Sequence, residues 1–153
     1  MKKFSLDKKG ICEYQQNREP YLMIDYATEV IPGKKANGFK DLKEDEWFFK
    51  VHWKNDPNMP GMLQIEALVQ MAALSILSLP GNKGKIVYLT SANNLKFSKK
   101  IVPGSRLTIE TNLVSFKRGI GDCEGVGKID DEIACKAQFG LILPDEIKKY
   151  KII

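Results

Sequence analysis

The chain contains a single histidine, His52, which stands fourteen residues before an isolated carboxyl, Glu66. Histidine changes its charge near neutral pH, so it can accept or donate a proton under physiological conditions. Glu66 is the only charged residue between Met62 and Leu79, and an ionised carboxyl is costly in an apolar helix unless it has a partner or a function. One base and one acid at this spacing point to proton-transfer chemistry.

Both residues also have purely structural explanations that the sequence leaves open. His52 is then a loop histidine that caps a turn, and Glu66 is a buried carboxyl paired with a lysine. The helical run that follows Gly61 supplies no basic residue of its own, which favours the functional explanation for Glu66.

The segment that must position Glu66 is the clearest predicted element, a helix over residues 62–77. Pro60-Gly61 precedes it and Pro80-Gly81 follows it, as is typical of helix ends. Apolar residues point in nearly every direction, so we expect the helix to be buried on most sides. Glu66 and Gln70 are four residues apart and therefore share one face of this helix.

The remaining elements are predicted to be strands separated by Gly, Pro or charged pairs. They cover residues 21–31, 36–42, 85–91, 94–100, 105–117, 119–129 and 132–143, with Asp130-Asp131 as a tight hairpin turn. Two strands, one buried helix and several further strands predict an α+β fold, with an antiparallel sheet wrapped around one long helix. A single sheet with one helix leaves apolar surface uncovered, so we expect a dimer.

The 153 residues fit one domain, which we place at 1–153. Within it, residues 1–20 are predicted to be a loosely attached lead-in with room for one short helix. Residues 144–153 are predicted to be a lysine-rich tail on the surface. No apolar segment follows the basic N-terminus as a signal peptide would require, and Gln64, Glu66 and Gln70 argue against a membrane span over residues 62–79.

The composition excludes several classes of site. Cys12, Cys123 and Cys135 are odd in number and form no CxxC pair, which argues against a disulfide framework and against zinc. We therefore expect reduced thiols, a cytoplasmic protein, and neither a metal nor another cofactor. The net charge of +5 comes mostly from lysine with little aromatic interleaving, so a solvated surface or an acidic protein partner is favoured over nucleic acid.

The run from His52 to Gln70 resembles the 3-hydroxyacyl-(acyl carrier protein) dehydratases of the FabZ and FabA type. Their motif is close to His-Phe-x-Gly-x-Pro-x-x-Pro-Gly, followed by a carboxylate fourteen residues after the histidine within Glu-Ala-x-x-Gln. The matching residues, spaced without a gap, are His52-Trp53, Pro57, Pro60-Gly61 and Glu66-Ala67-Leu68-Val69-Gln70. Phe97 and Val102-Pro103-Gly104 resemble the second block of the family.

The resemblance implies a hot-dog fold, a homodimer or a trimer of dimers, and active sites that two subunits share. It implies dehydration of 3-hydroxyacyl thioesters, on acyl carrier protein or coenzyme A, to trans-2-enoyl thioesters in fatty-acid or related lipid or polyketide synthesis. His52 is then the general base, and Glu66 is the acid whose pKa burial should raise.

The resemblance and the helix geometry also suggest roles for the neighbouring residues. The amide of Gly61 begins the helix and is expected to donate to the thioester oxygen. The backbone carbonyl of Asn58 is expected to hold the imidazole. Gln70 is expected to orient its neighbours, with an ordinary interface glutamine as the alternative.

Several residues outside the motif core are candidates for substrate and partner contacts. Met62 and Phe97 are candidates for the substrate channel, although core packing is the simpler role for Met62, Met71 and Leu74, and strand packing for Phe97. Lys96, Lys99 and Lys100 are candidates for docking an acidic carrier protein. The alternative is that these lysines protect an exposed strand edge.

The chain also departs from the family pattern around the histidine. Val51 stands where the family has glycine, and Trp53-Lys54-Asn55 replaces Phe-Pro-Gly, with Asn55 expected to take the left-handed place of the glycine. Two other functions stay open, of which these changes support the second. One is an acyl thioesterase that uses a helix carboxylate, and the other is a non-catalytic module that binds acyl chains.

Overall fold

The computed structural model describes residues 2–151 and contains one antiparallel sheet around one long helix. The helices are α1 (Lys8–Tyr14), α2 (Trp47–His52), α3 (Gly61–Leu77) and α4 (Pro144–Ile147), followed by a 3-10 helix at Lys148–Tyr150. The strands are β1 (Phe4–Leu6), β2 (Tyr26–Ile31), β3 (Lys35–Asp41), β4 (Tyr88–Phe97), β5 (Arg106–Lys117), β6 (Ile120–Ile129) and β7 (Glu132–Ile142). This architecture confirms the predicted α+β class.

The seven strands form a sheet in the order β1-β2-β3-β5-β6-β7-β4, and every neighbouring pair is antiparallel. Short hairpins join β5 to β6 and β6 to β7. Asp130 and Asp131 have φ values of 49° and 64°, the left-handed conformation of a tight hairpin turn, which confirms the predicted turn. The chain between β3 and β4 instead crosses the sheet through α2 and α3, so β4 is an edge strand.

The core lies between α3 and the sheet. All residues from 67 to 77 are buried, and α3 contacts β2, β3, β5, β6 and β7. Every second residue of β3 is buried against it. Gly38 lies in β3, where a Cβ would collide with Tyr26 O and lie 2.6 Å from Met71 Cε. Only glycine therefore lets β3 approach both α3 and β2 this closely.

Met71 and Leu74 are fully buried in this core, which confirms their predicted packing role. Burial of each such side chain contributes roughly 1.5–3 kcal/mol to stability. Met62 is different, because 65% of it is exposed in the single chain, so the expectation that it packs in the core is wrong. It is the second residue of α3, in the exposed first turn of the helix.

The lead-in is integrated into the fold, so the prediction of loose attachment is wrong. β1 pairs with β2, and Ile11 of α1 is fully buried in the core. The Asp7 carboxylate caps α1 by accepting from Gly10 N at 2.8 Å. The segment that follows this lead-in is also fully buried at Leu22, Met23 and Ile24. It is not a strand, because the strand predicted over residues 21–31 begins only at Tyr26.

Two further differences from the predicted elements occur near the candidate site. Residues 47–52 form helix α2, although aromatic residues have only modest helix propensity, because Phe48 and Phe49 are buried in the core. The predicted strands 85–91 and 94–100 form the single strand β4. Asn94 has φ 53° and the pairing with β7 shifts register there, so a bulge separates the two halves.

The C-terminal tail begins with α4, which packs against the turn between β5 and β6. Leu143 N donates to Gly119 O at 2.8 Å, whereas residues 148–151 are exposed, as predicted for a surface tail. Ile152 and Ile153, which belong to the predicted tail, lie outside the described residues, as does Met1 of the lead-in. Between residues 2 and 151, the structure contains no helix with both the length and the apolar character to cross a membrane.

Candidate active site

His52 is the last residue of α2, and its ring is fixed by the loop that leads to α3. Its Nδ1 lies 3.0 Å from the backbone carbonyl oxygen of Asn58, the contact expected from the motif. A carbonyl oxygen can only accept, so in neutral His52 the proton sits on Nδ1 and Nε2 carries the free lone pair. The imidazole is half-buried and therefore presents one basic nitrogen in a defined orientation.

The loop between α2 and α3 is itself tied to the segment after β4. Met59 is fully buried, and its N–H donates to Ile101 O at 2.8 Å. Lys100 Nζ lies 2.7 Å from Asp56 Oδ1. Asn55 has no positive φ, so the expectation that it replaces a left-handed glycine is wrong. The loop is held by contacts across the chain, not by a special backbone conformation at Asn55.

The N-terminus of α3 supplies backbone donors beside this loop. Gly61 and Met62 open the helix, so their N–H groups have no helical carbonyl four residues earlier. A Cβ on Gly61 would lie 2.9 Å from Phe97 Cε1, so the ring of Phe97 lies directly against the Gly61 backbone. The glycine is therefore required for this close approach, and Phe97 borders the first turn of α3.

Glu66 lies one turn further along α3 and is held by Gln70. Gln70 Nε2 donates to Glu66 Oε1 at 3.0 Å and to Tyr21 O at 2.9 Å, while Gln70 Oε1 accepts from Met23 N at 2.8 Å. All three of these contacts engage one buried amide, so the orienting role expected of Gln70 agrees with its bonding.

The environment of Glu66 favours its neutral form. Burial raises the pKa of Glu66 above its ordinary value, and the hydrogen bond from Gln70 offsets part of that rise. Among the ion pairs of residues 2–151, none involves Glu66, which argues against the structural alternative of a lysine partner. Burial raises the pKa of the Tyr21 phenol, and the nearby charge of Glu66 raises it further.

Within one chain, Glu66 and the loop that follows His52 (residues 53–60) face different cavities. Glu66 lines a groove of about 400 Å³, while Asn58, Gly61 and Phe97 line a separate cleft of about 510 Å³. These two cavities share no lining residue. The helix explains the separation, because the five residues from Gly61 to Glu66 turn the side chain by roughly 140° around α3.

Two of the lysine candidates, Lys99 and Lys100, line the Gly61 cleft, and both have intramolecular partners. Lys99 Nζ is 3.0 Å from Glu132 Oε2, and Lys100 pairs with Asp56 as described above. Lys96 is exposed on β4, opposite Lys136 in the register with β7. Val51 and Trp53, the departures from the family pattern, are 72% and 60% exposed beside His52.

Two sets of residues near Glu66 were not expected from the sequence. Tyr21 binds Gln70 through its carbonyl, and Gln15, Gln16 and Asn17 from the lead-in line the Glu66 groove. Their positions depend on contacts between segments that are about fifty residues apart in the chain, and no local sequence pattern predicts them.

The cysteines and potential metal ligands add no further centre within residues 2–151. Cys12, Cys123 and Cys135 are free thiols, and burial raises the pKa of Cys123 to about 12 and that of Cys135 to about 11. Both are therefore neutral at physiological pH and pack as small apolar residues. In the same part of the chain, His, Cys, Asp and Glu side chains do not gather in groups of three that could hold a metal ion.

Solved structures share this architecture. The structure described as the dehydratase heterocomplex ApeI:P from Xenorhabdus doucetiae superposes with a TM-score of 0.77 at 15% sequence identity, covering 91% of this chain and 95% of that chain. Likeness at this identity shows a common fold, and it confirms the hot-dog fold expected from the motif.

Sequence comparisons identify the family. The FabA-like domain model matches residues 16–138. The 3-hydroxyacyl-(acyl-carrier-protein) dehydratase FabZ of Clostridium novyi (strain NT) is 39% identical over 139 residues, covering 90% of this chain and 98% of that protein. The protein of the same name from Alkaliphilus metalliredigens (strain QYMF) is 40% identical over 134 residues, covering 86% and 91%. The chain therefore belongs to the FabA-like family, with FabZ-type dehydratases among its relatives.

Proposed function

We propose that the protein is a hydro-lyase that removes water from 3-hydroxyacyl thioesters to give trans-2-enoyl thioesters in fatty-acid or related lipid synthesis. Family membership and the FabZ relatives support this reaction. The observation that carries it is the pair of proton-transfer groups at the family spacing. His52 has a free Nε2, and Glu66 is a buried carboxyl with a raised pKa.

The proposed chemistry assigns one step to each group. His52 Nε2 removes a proton from C2 of the substrate, whose acidity comes from the adjacent thioester carbonyl. The charge that develops on the carbonyl oxygen is stabilised by the Gly61 amide at the positive end of α3. Protonated Glu66 donates its proton to the 3-hydroxyl, which leaves as water as the C2–C3 double bond forms. Exchange with solvent then removes the proton from His52 and restores it to Glu66.

We propose that two chains complete each site, with Glu66 from one protomer and His52 from its partner. The single chain supports this arrangement, since Glu66 lines one groove while residues of the loop after His52 line another, and His52 itself lines neither of the two. The edge strand β4 offers the surface for association, because Tyr88, Leu89 and Phe97 are exposed along it. Pairing two β4 strands would extend the sheet across a homodimer, on which a trimer of dimers can be built.

We propose acyl carrier protein as the carrier of the substrate, in line with the names of the relatives. Lys99 and Lys100 line the Gly61 cleft, and Lys96 is exposed on β4 one residue before Phe97 of the same cleft, so the three lysines are proposed as the docking surface for the carrier. Phe97 lines the same cleft, Met62 is exposed next to Gly61 in the first turn of α3, and both are proposed to contact the substrate. The three free cysteines suit a reducing compartment, so we propose a cytoplasmic location.

The reaction is tested in reverse with a short trans-2-enoyl thioester, following the loss of its conjugated absorbance. We expect hydration by the wild-type protein and none by His52→Ala or Glu66→Ala, each with an unchanged circular dichroism spectrum. Release of free thiol without hydration would instead indicate a thioesterase. If the conjugated absorbance and the thioester both persist, the result would indicate a non-catalytic binding module.

Mixing the two inactive variants tests whether the site is shared. A heterodimer of His52→Ala and Glu66→Ala contains one intact site if the two groups come from different chains, so unfolding and refolding the mixture should restore roughly a quarter of wild-type activity. If both groups came from one chain, every site in the mixture would lack one group and no activity would return.

A further inference from the structure

Three consecutive peptide groups connect the candidate base to the candidate oxyanion donor. The Asn58–Met59 peptide carries the carbonyl oxygen that lies 3.0 Å from His52 Nδ1. The Pro60–Gly61 peptide carries the Gly61 N–H at the start of α3, and the Met59–Pro60 peptide lies between the two. Each peptide group is planar, so fixing its atoms on one side also fixes the direction of those on the other.

The first and third of these groups are fixed by backbone hydrogen bonds. Met59 N donates to Ile101 O at 2.8 Å, so the segment after β4 holds the plane of the Asn58 carbonyl. Pro60 O accepts from Gln64 N at 3.0 Å in the first turn of α3, and this bond holds the plane of the third group. The two ends of the connection are therefore anchored to different parts of the fold.

The middle group is held by a side chain. Proline has no N–H, so the orientation of the Met59–Pro60 peptide depends on its carbonyl oxygen. Met59 O accepts from Gln64 Nε2 at 2.9 Å, a buried bond made by a residue that is only 5% exposed. Gln64 thus binds two successive carbonyls, one through its backbone and one through its amide.

The other end of the Gln64 amide has no such contact. Its Oε1 is buried without a hydrogen-bond partner among residues 2–151. An unpaired buried oxygen is unfavourable, so the stability of the fold by itself does not favour glutamine at this position. The useful contact of the amide is the bond to Met59 O.

We propose, building on the dehydratase function above, that Gln64 is a positioning residue for the reaction. Its amide fixes the middle peptide and thereby sets the orientation of the His52 imidazole relative to the Gly61 N–H of the same chain. The base acts at C2 of the substrate and the N–H at the oxygen of the adjacent carbonyl, so both must be correctly placed in one step. Without the amide bond both groups remain present, and their relative placement loosens.

The kinetic test begins with Gln64→Met, because methionine matches glutamine in length and lacks the donor. For hydration of crotonyl thioester, we expect kcat to fall roughly 10- to 100-fold while KM changes by less than about twofold, since the lost geometry matters in the transition state. Gln64→Glu is the conservative variant. Burial keeps its new carboxyl protonated, so the O–H can donate to Met59 O and restore most of the wild-type kcat. Gln138→Met, on the exposed outer face of β7, should behave like wild type.

The single histidine supplies a second readout that needs no turnover. Nitrogen NMR of the ligand-free wild-type protein should show neutral His52 protonated on Nδ1. In Gln64→Met we expect a mixture of the two neutral tautomers, because the Asn58 carbonyl is no longer held in place, and Gln64→Glu should restore the Nδ1 form. The urea midpoint of Gln64→Met should stay near that of wild type, since the change loses one hydrogen bond and removes one unpaired oxygen.

The outcomes separate this inference from the proposed function. A wild-type protein that hydrates no thioester would contradict the proposed function, and the NMR comparison would still decide the role of Gln64. Wild-type kcat in Gln64→Met, or equal losses in Gln64→Met and Gln64→Glu, would overturn the inference. A lower urea midpoint with an unchanged tautomer would also overturn it, because Gln64 would then have a structural role alone.

Discussion

Gln70 Nε2 donates a hydrogen bond of 3.0 Å to Glu66 Oε1 while the same amide bonds the backbone of the segment that precedes β2. The candidate acid is therefore fastened to a part of the chain more than forty residues away. The stability of the fold and the pKa of Glu66 therefore both depend on the Gln70 side chain.

Replacing Gln70 with leucine should destabilise the protein by about 1–3 kcal/mol, because the Met23 N–H and the Tyr21 carbonyl lose their partner in a buried setting. The pKa of Glu66 should rise further, since the bond from Gln70 opposes the effect of burial. Urea unfolding measures the first effect. Gln138→Leu on the outer face of β7 is the matched control, and equal stability of the two variants would contradict the prediction.

The raised pKa of Glu66 should make stability fall as pH rises. The native state holds the proton more tightly than the unfolded chain, whose pKa is near 4.5. The stabilising contribution is therefore complete below about pH 4.5 and is lost as pH rises through the folded-state pKa. Glu66→Gln removes this dependence.

Unfolding free energies of wild type and Glu66→Gln, measured across this range at one protein concentration, should consequently diverge. The wild-type curve should decline relative to that of the variant. Glu124→Gln, on the exposed face of β6, should run parallel to wild type. Parallel curves for all three proteins would show that folding does not change the pKa of Glu66.

The single histidine allows a direct measurement of its tautomer. Because Asn58 O can only accept from Nδ1, neutral His52 should carry its proton on Nδ1 and leave Nε2 bare. Nitrogen NMR of ring-labelled protein distinguishes the two nitrogens without assignment ambiguity. Asn58→Ala should preserve the tautomer, since the acceptor is the backbone carbonyl. A protonated Nε2 in the neutral ring would remove His52 as the proposed base.

Reversing the charge of Lys96, Lys99 and Lys100 to glutamate should raise KM for carrier-bound substrate by roughly tenfold, the combined size expected of a few exposed charge contacts. Activity on a small thioester should change little. Reversal of Lys148, Lys149 and Lys151 in the exposed tail provides a control with the same change in net charge. Unchanged KM for the carrier-bound substrate would indicate that the first three lysines only protect the edge of the sheet.

Local patterns in the sequence were sufficient for the elements on which the site is built. The helix after Pro60-Gly61 and the turn at Asp130-Asp131 were predictable because helix periodicity and turn chemistry are encoded by neighbouring residues. The spacing of His52 and Glu66 likewise suggested the chemistry that we propose. Glu66 was expected to have a raised pKa because its neighbours on the helix are apolar.

Contacts between distant segments decided the rest. Helix α2 and the lead-in owe their places to the burial of Phe48, Phe49 and Ile11, which no local propensity determines. The partners of Gln70 appear only when residues 21–23 lie along α3. The sequence by itself thus determined which groups can do the chemistry, through spacing and local environment. Tertiary structure decided what surrounds them, and in one chain it placed Glu66 in a groove apart from the cleft that the loop after His52 lines, because burial and hydrogen bonding depend on segments that only folding brings together.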